Sequence, residues 1–376
     1  MGKFSFIIWQ YTWYYFEAFG EAHKEVILVM AKLYISHDPN QPTSPHSGVL
    51  LVHLLRRCNL LCQHCYLDAI SSQNNYLPAD LVIRSLNEVK SLGISTVYLS
   101  GGEPMLYPEL PNVLDSISRQ RCFDLCISTN GTLINEENVA LLKDNKARVQ
   151  VSIDGPAEYH DQFRGIKGTF FDACKGIEHM IAAEVPVSII TTICRDNINW
   201  LPRLAELAHE MGVDHIIVQP LEQLGRGFNI RDKKLSNDQL CDLSFMLSDL
   251  GSIYRSSGLS FSLACYTHKF LQEHPCAAYA CNGNRCHRNI SKEIKRLVIR
   301  EDGTVLPEIP TLDYRFALGN LKEGTLAELI HRYFENGYDR FDRLCRTVYD
   351  EVMPTWDSPF ILWEEMISDR SKSFDI

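Results

Sequence analysis

Several features are missing from this chain, and each absence narrows the field. No apolar run reaches the ~20 residues that a membrane-spanning helix needs. The aromatic-rich start, Phe4 to Phe16, stops well short, contains Gln10 and is soon followed by Glu17 and Glu21. It also offers no convincing small-residue cleavage site, so it does not read as a secretory signal. No long basic run is present, and 37 Lys+Arg against 47 Asp+Glu leave a net charge of −10. That balance argues against a nucleic-acid surface. Short internal repeats and low-complexity tracts are lacking too. What is there is ordinary for a soluble globular chain: 45% hydrophobic and 22% charged residues. A length of 376 residues accommodates one large α/β domain plus a smaller module. The chain reads as cytoplasmic. In a reducing cytosol its 13 cysteines fit metal ligation plus buried thiols better than disulfides.

Residues 1–48 read as an N-terminal extension and linker. "AKLYIS" after Met30 looks like a fresh start, so residues 1–29 read as an extension or a misjudged initiation site, and Pro39 to Gly48 is turn-rich. From residue 49 short apolar runs alternate with amphipathic stretches: "VLLVHLL" (49–55), "TVYLS" (96–100), "DLCIS" (124–128), "RVQVSI" (148–153), "VSIITTI" (187–193) and "HIIVQ" (215–219). Between them apolar residues recur at steps of three and four, the helical period. Strand and helix alternating in this way imply parallel strands with right-handed crossovers. Six units fall short of a closed eight-stranded barrel, so the expected fold is an α/β partial (β/α)6 TIM-type barrel over 49–225, with its site at the carboxyl ends of the strands. A bridging, mainly helical region is expected over 226–275. A hairpin-plus-helix module follows over 276–345, with Asp302-Gly303 as the hairpin turn. Residues 346–376 read as a tail rich in acids and aromatics.

The segment "CNLLCQHC" places Cys58, Cys62 and Cys65 directly after the first strand, at the mouth of the barrel. Zinc normally takes four protein ligands, and no fourth Cys or His lies nearby at zinc-finger spacing; His53 sits within the strand and His64 beside Cys65. Iron–sulfur clusters are also held by thiolates, and three thiolates on a four-iron cluster leave one iron open to a cofactor.

Cys-x3-Cys-x2-Cys after the first strand of a partial barrel resembles the radical S-adenosylmethionine (radical SAM) superfamily, and the later motifs of that family follow in order. The resemblance implies a 4Fe–4S cluster on Cys58, Cys62 and Cys65, and S-adenosylmethionine as cofactor. "GGEP" (Gly101, Gly102, Glu103, Pro104) follows the second strand, as the family's methionine-binding motif does, with the Glu103 carboxylate or nearby carbonyls holding the cofactor's amino group. "STNGT", with Ser128 and Asn130, and "SIDG", with Ser152 and Asp154, flank the ribose by the same resemblance, and Arg164 in "DQFRG" suits the cofactor's carboxylate. The implied chemistry is reductive cleavage of S-adenosylmethionine to a 5′-deoxyadenosyl radical that abstracts hydrogen from an unreactive C–H bond.

The C-terminal stretch resembles the SPASM or shorter twitch extension, which holds auxiliary iron–sulfur clusters. Cys281, Gly283, Asp302-Gly303, Pro307 and Gly319-Asn320 match that pattern, but Glu308 stands where a ligating cysteine is expected, and Cys345 is alone. Two auxiliary clusters are therefore not expected. One cluster, drawn from Cys265, Cys276, Cys281, Cys286 and Cys345, competes with a degenerate module that holds none. Cys122, Cys126, Cys174, Cys194 and Cys241 read as buried thiols.

This resemblance favours a maturase of a ribosomally made precursor peptide, by crosslinking, epimerisation or backbone excision. Its alternatives are an enzyme of small-molecule cofactor biosynthesis, tetrapyrrole or quinone, and a non-catalytic scaffold. The implied partners are the precursor peptide and an electron donor of flavodoxin or ferredoxin type, with no nucleic acid and no membrane. The region before the barrel is too short for an independent leader-binding domain, so a separate recognition protein is expected. Trp9, Tyr11, Trp13, Tyr14, Trp356 and Trp363 are its candidate anchors, unless these aromatics pack back on the barrel.

Overall fold

A computed structural model describes residues 48–279, 290 and 293–375. The six expected strands form in order: β1 (Gly48–His53), β2 (Ile94–Ser100), β3 (Asp124–Thr129), β4 (Arg148–Ser152), β5 (Val187–Ile193) and β6 (His215–Pro220). Each pairs in parallel with the next. On the face opposite the cavity-lining residues the side chains are aliphatic and fully buried, among them Leu50, Val52, Val97, Leu99, Ile127, Val149 and Ile189. That is what a parallel sheet covered by helices on its outer face demands.

The covering helices are α1 (Ala79–Val89), α2 (Leu110–Gln120), α3 (Glu136–Asp144), α4 (Ala157–Arg164), α5 (Thr169–Ala182) and α6 (Leu201–Glu210). In α2 the buried positions are Leu110, Val113, Leu114 and Ile117, one stripe at the 3.6-residue period. Asn135 caps α3 by accepting from Asn138 N, and Pro202 sits in the first turn of α6, where no intrahelical N–H is needed.

The sheet is larger than six strands. The bridge begins with α7 (Asn237–Ile253), opened by a Ser236/Gln239 capping box, and then supplies β7 (Ser260–Leu263), which pairs in parallel with β6. The short elements β8 (Tyr266–Thr267) and α8 (His268–Glu273) complete it. At the opposite edge, β9 (Arg296–Ile299) pairs in parallel with β1 and turns at Asp302-Gly303 into β10 (Thr304–Pro307), which is antiparallel to it and to β11 (Gly319–Asn320). The strand order β11-β10-β9-β1-β2-β3-β4-β5-β6-β7 is linear, so the barrel stays open.

The C-terminal part holds more helix than the single one expected after the hairpin. Three helices follow the hairpin: α9 (Leu326–Asn336), α10 (Tyr338–Val352) and α11 (Trp363–Ser373). Helix α10 runs straight through the expected 345/346 boundary, burying Phe341, Leu344, Cys345 and Val348. β12 (Phe360–Ile361) pairs with β8, tying the tail to the bridge. Trp363 and Ile367 belong to the main core, and Trp356 donates Nε1–H to Phe360 O at 2.8 Å. Both tail tryptophans therefore pack inward. Trp9, Tyr11, Trp13 and Tyr14 lie outside the described residues. Among those described, no helix is long and apolar enough to cross a membrane.

Candidate active site

The loop after β1 carries the three cysteines across the carboxyl end of the sheet. Cys58 and Cys62 are buried and Cys65 is half-buried. The loop is tied down by backbone bonds: Cys58 N donates to Ile70 O (3.3 Å), Leu61 N to Arg164 O (3.1 Å) and Gln63 N to Phe163 O (2.9 Å). The turn after β6 clamps it from another side. Arg226 N donates to Cys65 O at 3.0 Å, while its guanidinium donates to Cys62 O (2.8 Å) and Ala69 O (3.0 Å). Gly225 stands at φ 52°, and a Cβ there would lie 2.5 Å from the carbonyl oxygens of both Cys65 and Tyr66. Arg226 was not among the residues singled out from the sequence. The available signal was the glycine-flanked "GRG" immediately beyond the sixth strand.

All three cysteines line one cavity of about 180 Å³ at the carboxyl ends of the strands. Gly101, Gly102, Ser128, Asn130, Ser152 and Arg164 line it too, whereas Glu103, Pro104 and Asp154 do not. Three further lining residues, Thr192, Gln219 and Glu222, come from the ends of β5 and β6, where no motif marked them. A Cβ at Gly101 or Gly102 would collide with the Leu55 or Arg57 carbonyl oxygen, so the glycines let the β2 loop pack against the segment leading to the cysteines. Gly102 N donates to Leu55 O (2.7 Å) and Glu103 N to Arg57 O (2.9 Å).

The Glu103 carboxylate is turned inward and fully used. It accepts from Thr129 Oγ1 (2.7 Å), Asn130 N (2.9 Å) and Met105 N (3.0 Å), bracing the β2 loop against the end of β3. In this structure, then, it is the lining residues Ser100, Gly101 and Gly102, rather than this carboxylate, that face the space a cofactor would fill. Asp154 is likewise interior: it accepts from Arg164 Nε at 2.6 Å and from Thr192 N at 2.9 Å. Arg164 thereby has its charge pinned, and its Nη1 lies 3.7 Å from Cys62 Sγ. Asn130 Nδ2 donates to Asn59 Oδ1 at 2.8 Å, joining the β3 loop to the cysteine loop.

The electrostatics follow from burial and these pairs. Burial, with the nearby Glu103, pushes the Cys58 thiol up to about 12. Burial also raises Cys62, with Arg164 opposing. Burial alone would raise Asp154, but Arg164, His64 and His160 outweigh it and hold the carboxyl at about 2. His64 stacks on Phe163 at 4.3 Å, its Nδ1 has no partner among the described residues, and burial lowers it to about 3. Buried thiols of this kind ionise when a metal supplies the compensating charge. Among the described residues no three His, Cys, Asp or Glu side chains converge on a point that would hold a single ion. Three thiols lining one cavity are a donor set of the kind that holds an iron–sulfur cluster.

The C-terminal candidates divide. Cys265 is buried in the main core and lines neither cavity. Cys345 and Cys276 line a second cavity of about 50 Å³ together with Glu308, which stands at φ 58° with its carboxylate accepting from Lys295 N. Cys276 is disulfide-bonded, against the expectation that the cysteines serve as metal ligands and buried thiols, and so has no free thiolate to offer a cluster. Cys281, Gly283 and Cys286 lie outside the described residues. Of the expected buried thiols, Cys126 and Cys194 are buried and Cys174 and Cys241 half-buried, but Cys122 is exposed. It sits in the link between α2 and β3, whose outward side meets solvent.

The sequence profile of the Radical SAM superfamily matches residues 52–208, the stretch from β1 to α6 that holds the three cysteines. Residues 52–208 are a radical SAM domain. That superfamily uses a 4Fe–4S cluster and S-adenosylmethionine. The chain is 33% identical over 193 residues to the Fe-coproporphyrin III synthase of Methanosarcina barkeri, covering 51% of this chain and 48% of that protein. It is 28% identical over 192 residues to the antilisterial bacteriocin subtilosin biosynthesis protein AlbA of Bacillus subtilis, covering 50% and 42%. The chain thus spans about half the length of the curated relatives it matches. Among solved structures, SuiB of Streptococcus suis bound to S-adenosylmethionine matches with TM-score 0.64 at 20% identity, covering 79% of this chain and 68% of that one. AdoMet-bound anSMEcpe matches with TM-score 0.59 at 19% identity, covering 87% and 96%. At these identities the likeness is one of fold, and in the second case it takes in nearly the whole of the other chain.

Proposed function

We propose that the chain holds a 4Fe–4S cluster on Cys58, Cys62 and Cys65, binds S-adenosylmethionine in the adjoining cavity, and uses the two to modify a ribosomally made precursor peptide. One observation carries the reading: the three cysteines share a single cavity with the glycine, serine and asparagine positions at the ends of β2, β3 and β4. When bound, the cluster and cofactor supply reductive cleavage to 5′-deoxyadenosine coupled to removal of a substrate hydrogen atom. The protein's own work is placement. Arg226 fixes the cysteine loop through its carbonyls, and Arg164 offers positive charge beside Cys62. The Ser128 and Ser152 hydroxyls are suited to a ribose. Leu60, Ile190 and Leu221 give the wall an apolar part that limits water.

The peptide reading is supported by a fold likeness that extends beyond the domain to SuiB bound to its precursor peptide SuiA, with TM-score 0.57 at 20% identity. The AlbA relative points the same way. A second reading, small-molecule tetrapyrrole chemistry, is favoured by the heme-related relatives, including an AdoMet-dependent heme synthase of Methanosarcina barkeri 36% identical over 173 residues. The hairpin and the helices after it are proposed as a SPASM- or twitch-like module with one auxiliary cluster, supported by the hairpin at Asp302-Gly303 and the following Gly319-Asn320 strand; the disulfide-bonded Cys276 is not offered as a ligand. A separate leader-recognition protein and a flavodoxin or ferredoxin belong to the same proposal.

Anaerobically reconstituted protein given a reductant is expected to release 5′-deoxyadenosine, measured by liquid chromatography. The combined substitution C58A/C62A/C65A is expected to abolish that release. Continued release from the triple variant removes the central claim. Mass analysis of a short peptide encoded beside this chain, after co-expression, then separates the two substrate readings.

A further inference from the structure

Glu222 lies two residues beyond β6 and lines the same cavity as the three cysteines. The residue is half-buried. The carboxylate makes no hydrogen bond or ion pair among the described residues. Two further carboxylates, Glu364 and Glu365, face it from the first turn of α11. The cations nearby are engaged with those two: Arg296 Nη2 lies 2.8 Å from Glu364 Oε1, and Lys234 Nζ lies 2.7 and 2.9 Å from the two oxygens of Glu365. The remaining guanidinium groups lining the cavity are held as well, Arg164 by Asp154 and Arg226 by backbone carbonyls. Among the described residues, three carboxylates therefore share these two cations, and Glu222 is the one without an ion pair. Burial, then Glu364 and Glu365, raises its carboxyl to about 8 against the opposing pull of Lys234 and Arg296. An ion that is costly in an empty cavity becomes favourable once an opposite charge docks against it.

We infer that the substrate presents a cationic group, a lysine ammonium or an arginine guanidinium, to Glu222 inside the active-site cavity. The inference rests on the peptide reading and sharpens it, because a basic side chain close to the modified position becomes a requirement. A tetrapyrrole bearing several carboxylates would bring charge of the wrong sign to this wall. Since Glu364 and Glu365 set the local charge balance, α11 takes part in substrate selection although it lies more than 130 residues beyond β6.

The test uses full-length reconstituted protein loaded with S-adenosylmethionine. Its probes are three fluorescein-labelled decapeptide libraries that carry Arg, Gln or Glu at one fixed central position, read by anisotropy, with coproporphyrin III as the polycarboxylate probe. The Arg library is expected to bind roughly tenfold or more tightly than the Gln library, with the Glu library weakest. E222Q should bring the Arg and Gln libraries to near equality, E222D should keep the preference, and E222R should favour the Glu library. Peptide binding without an Arg preference, or a preference that survives E222Q, overturns the inference and leaves the peptide reading standing. Binding of coproporphyrin III with no binding of any library overturns both.

Discussion

At the scale of the residue, the site depends on side chains that do not line its cavity. Glu103 illustrates this. Its motif was legible in the sequence, but its work was not: the residue type fits an amino group, and only the fold shows three donors already converging on it. E103Q leaves one oxygen where two are used and turns an amide N–H₂ toward a donor. The expected loss is about 1–3 kcal/mol of stability, the cost of a buried unsatisfied donor, checked by denaturant unfolding. Asp154 gives a pH dependence with a definite sign. Its folded carboxyl lies at about 2 against an ordinary 3.8, so its stabilisation is complete above the ordinary value and is lost as pH falls through 3.8 toward 2. Native protein should show this acid limb in thermal unfolding, and D154N should lack it while being less stable at neutral pH. The residues that escaped sequence reading, Arg226, Gln219 and Glu222, share a physical reason. They sit at the end of β6 or just past it, beyond the recognisable tetrapeptides, and only the fold brings them to the same cavity as the first loop.

At the scale of the element, the barrel was written plainly in the chain. Six apolar runs, each followed by a three-four pattern, became six parallel strands and their helices, because burial on both faces leaves parallel strands few polar positions. The C-terminal part was harder to read. Helix α10 has a strong apolar stripe, Tyr338, Phe341, Leu344, Cys345 and Val348, yet charged residues fill the intervening positions and mask it. β7 and β8 are short, with no alternation long enough to stand out. The hairpin at Asp302-Gly303 was legible from its turn chemistry, but not its docking in parallel on β1, which is a long-range choice. Whether this module carries iron has a direct readout. The C58A/C62A/C65A protein, reconstituted with iron and sulfide, is expected to retain a cluster-like visible band and bound iron through the auxiliary site. A colourless, iron-free variant would leave the radical SAM cluster as the chain's single one.

At the scale of the molecule, the second partner is the open question that experiment can close. Purified enzyme is expected to modify a full-length precursor slowly alone and at least severalfold faster with a small leader-recognition protein added, measured by mass spectrometry over time. Equal rates with and without it would remove that partner. The sheet order has a consequence for how the chain is made. β1, which leads into the cysteine loop, has two neighbours: β2, finished by residue 100, and β9, finished only by residue 299. During synthesis at roughly 5–20 residues per second, one edge of the cysteine-bearing strand therefore stays unpaired for on the order of ten seconds or more. A free edge is a template for wrong pairing. That edge closes when β9 docks in parallel on β1, so the hairpin completes the pairing of the cysteine-bearing strand last.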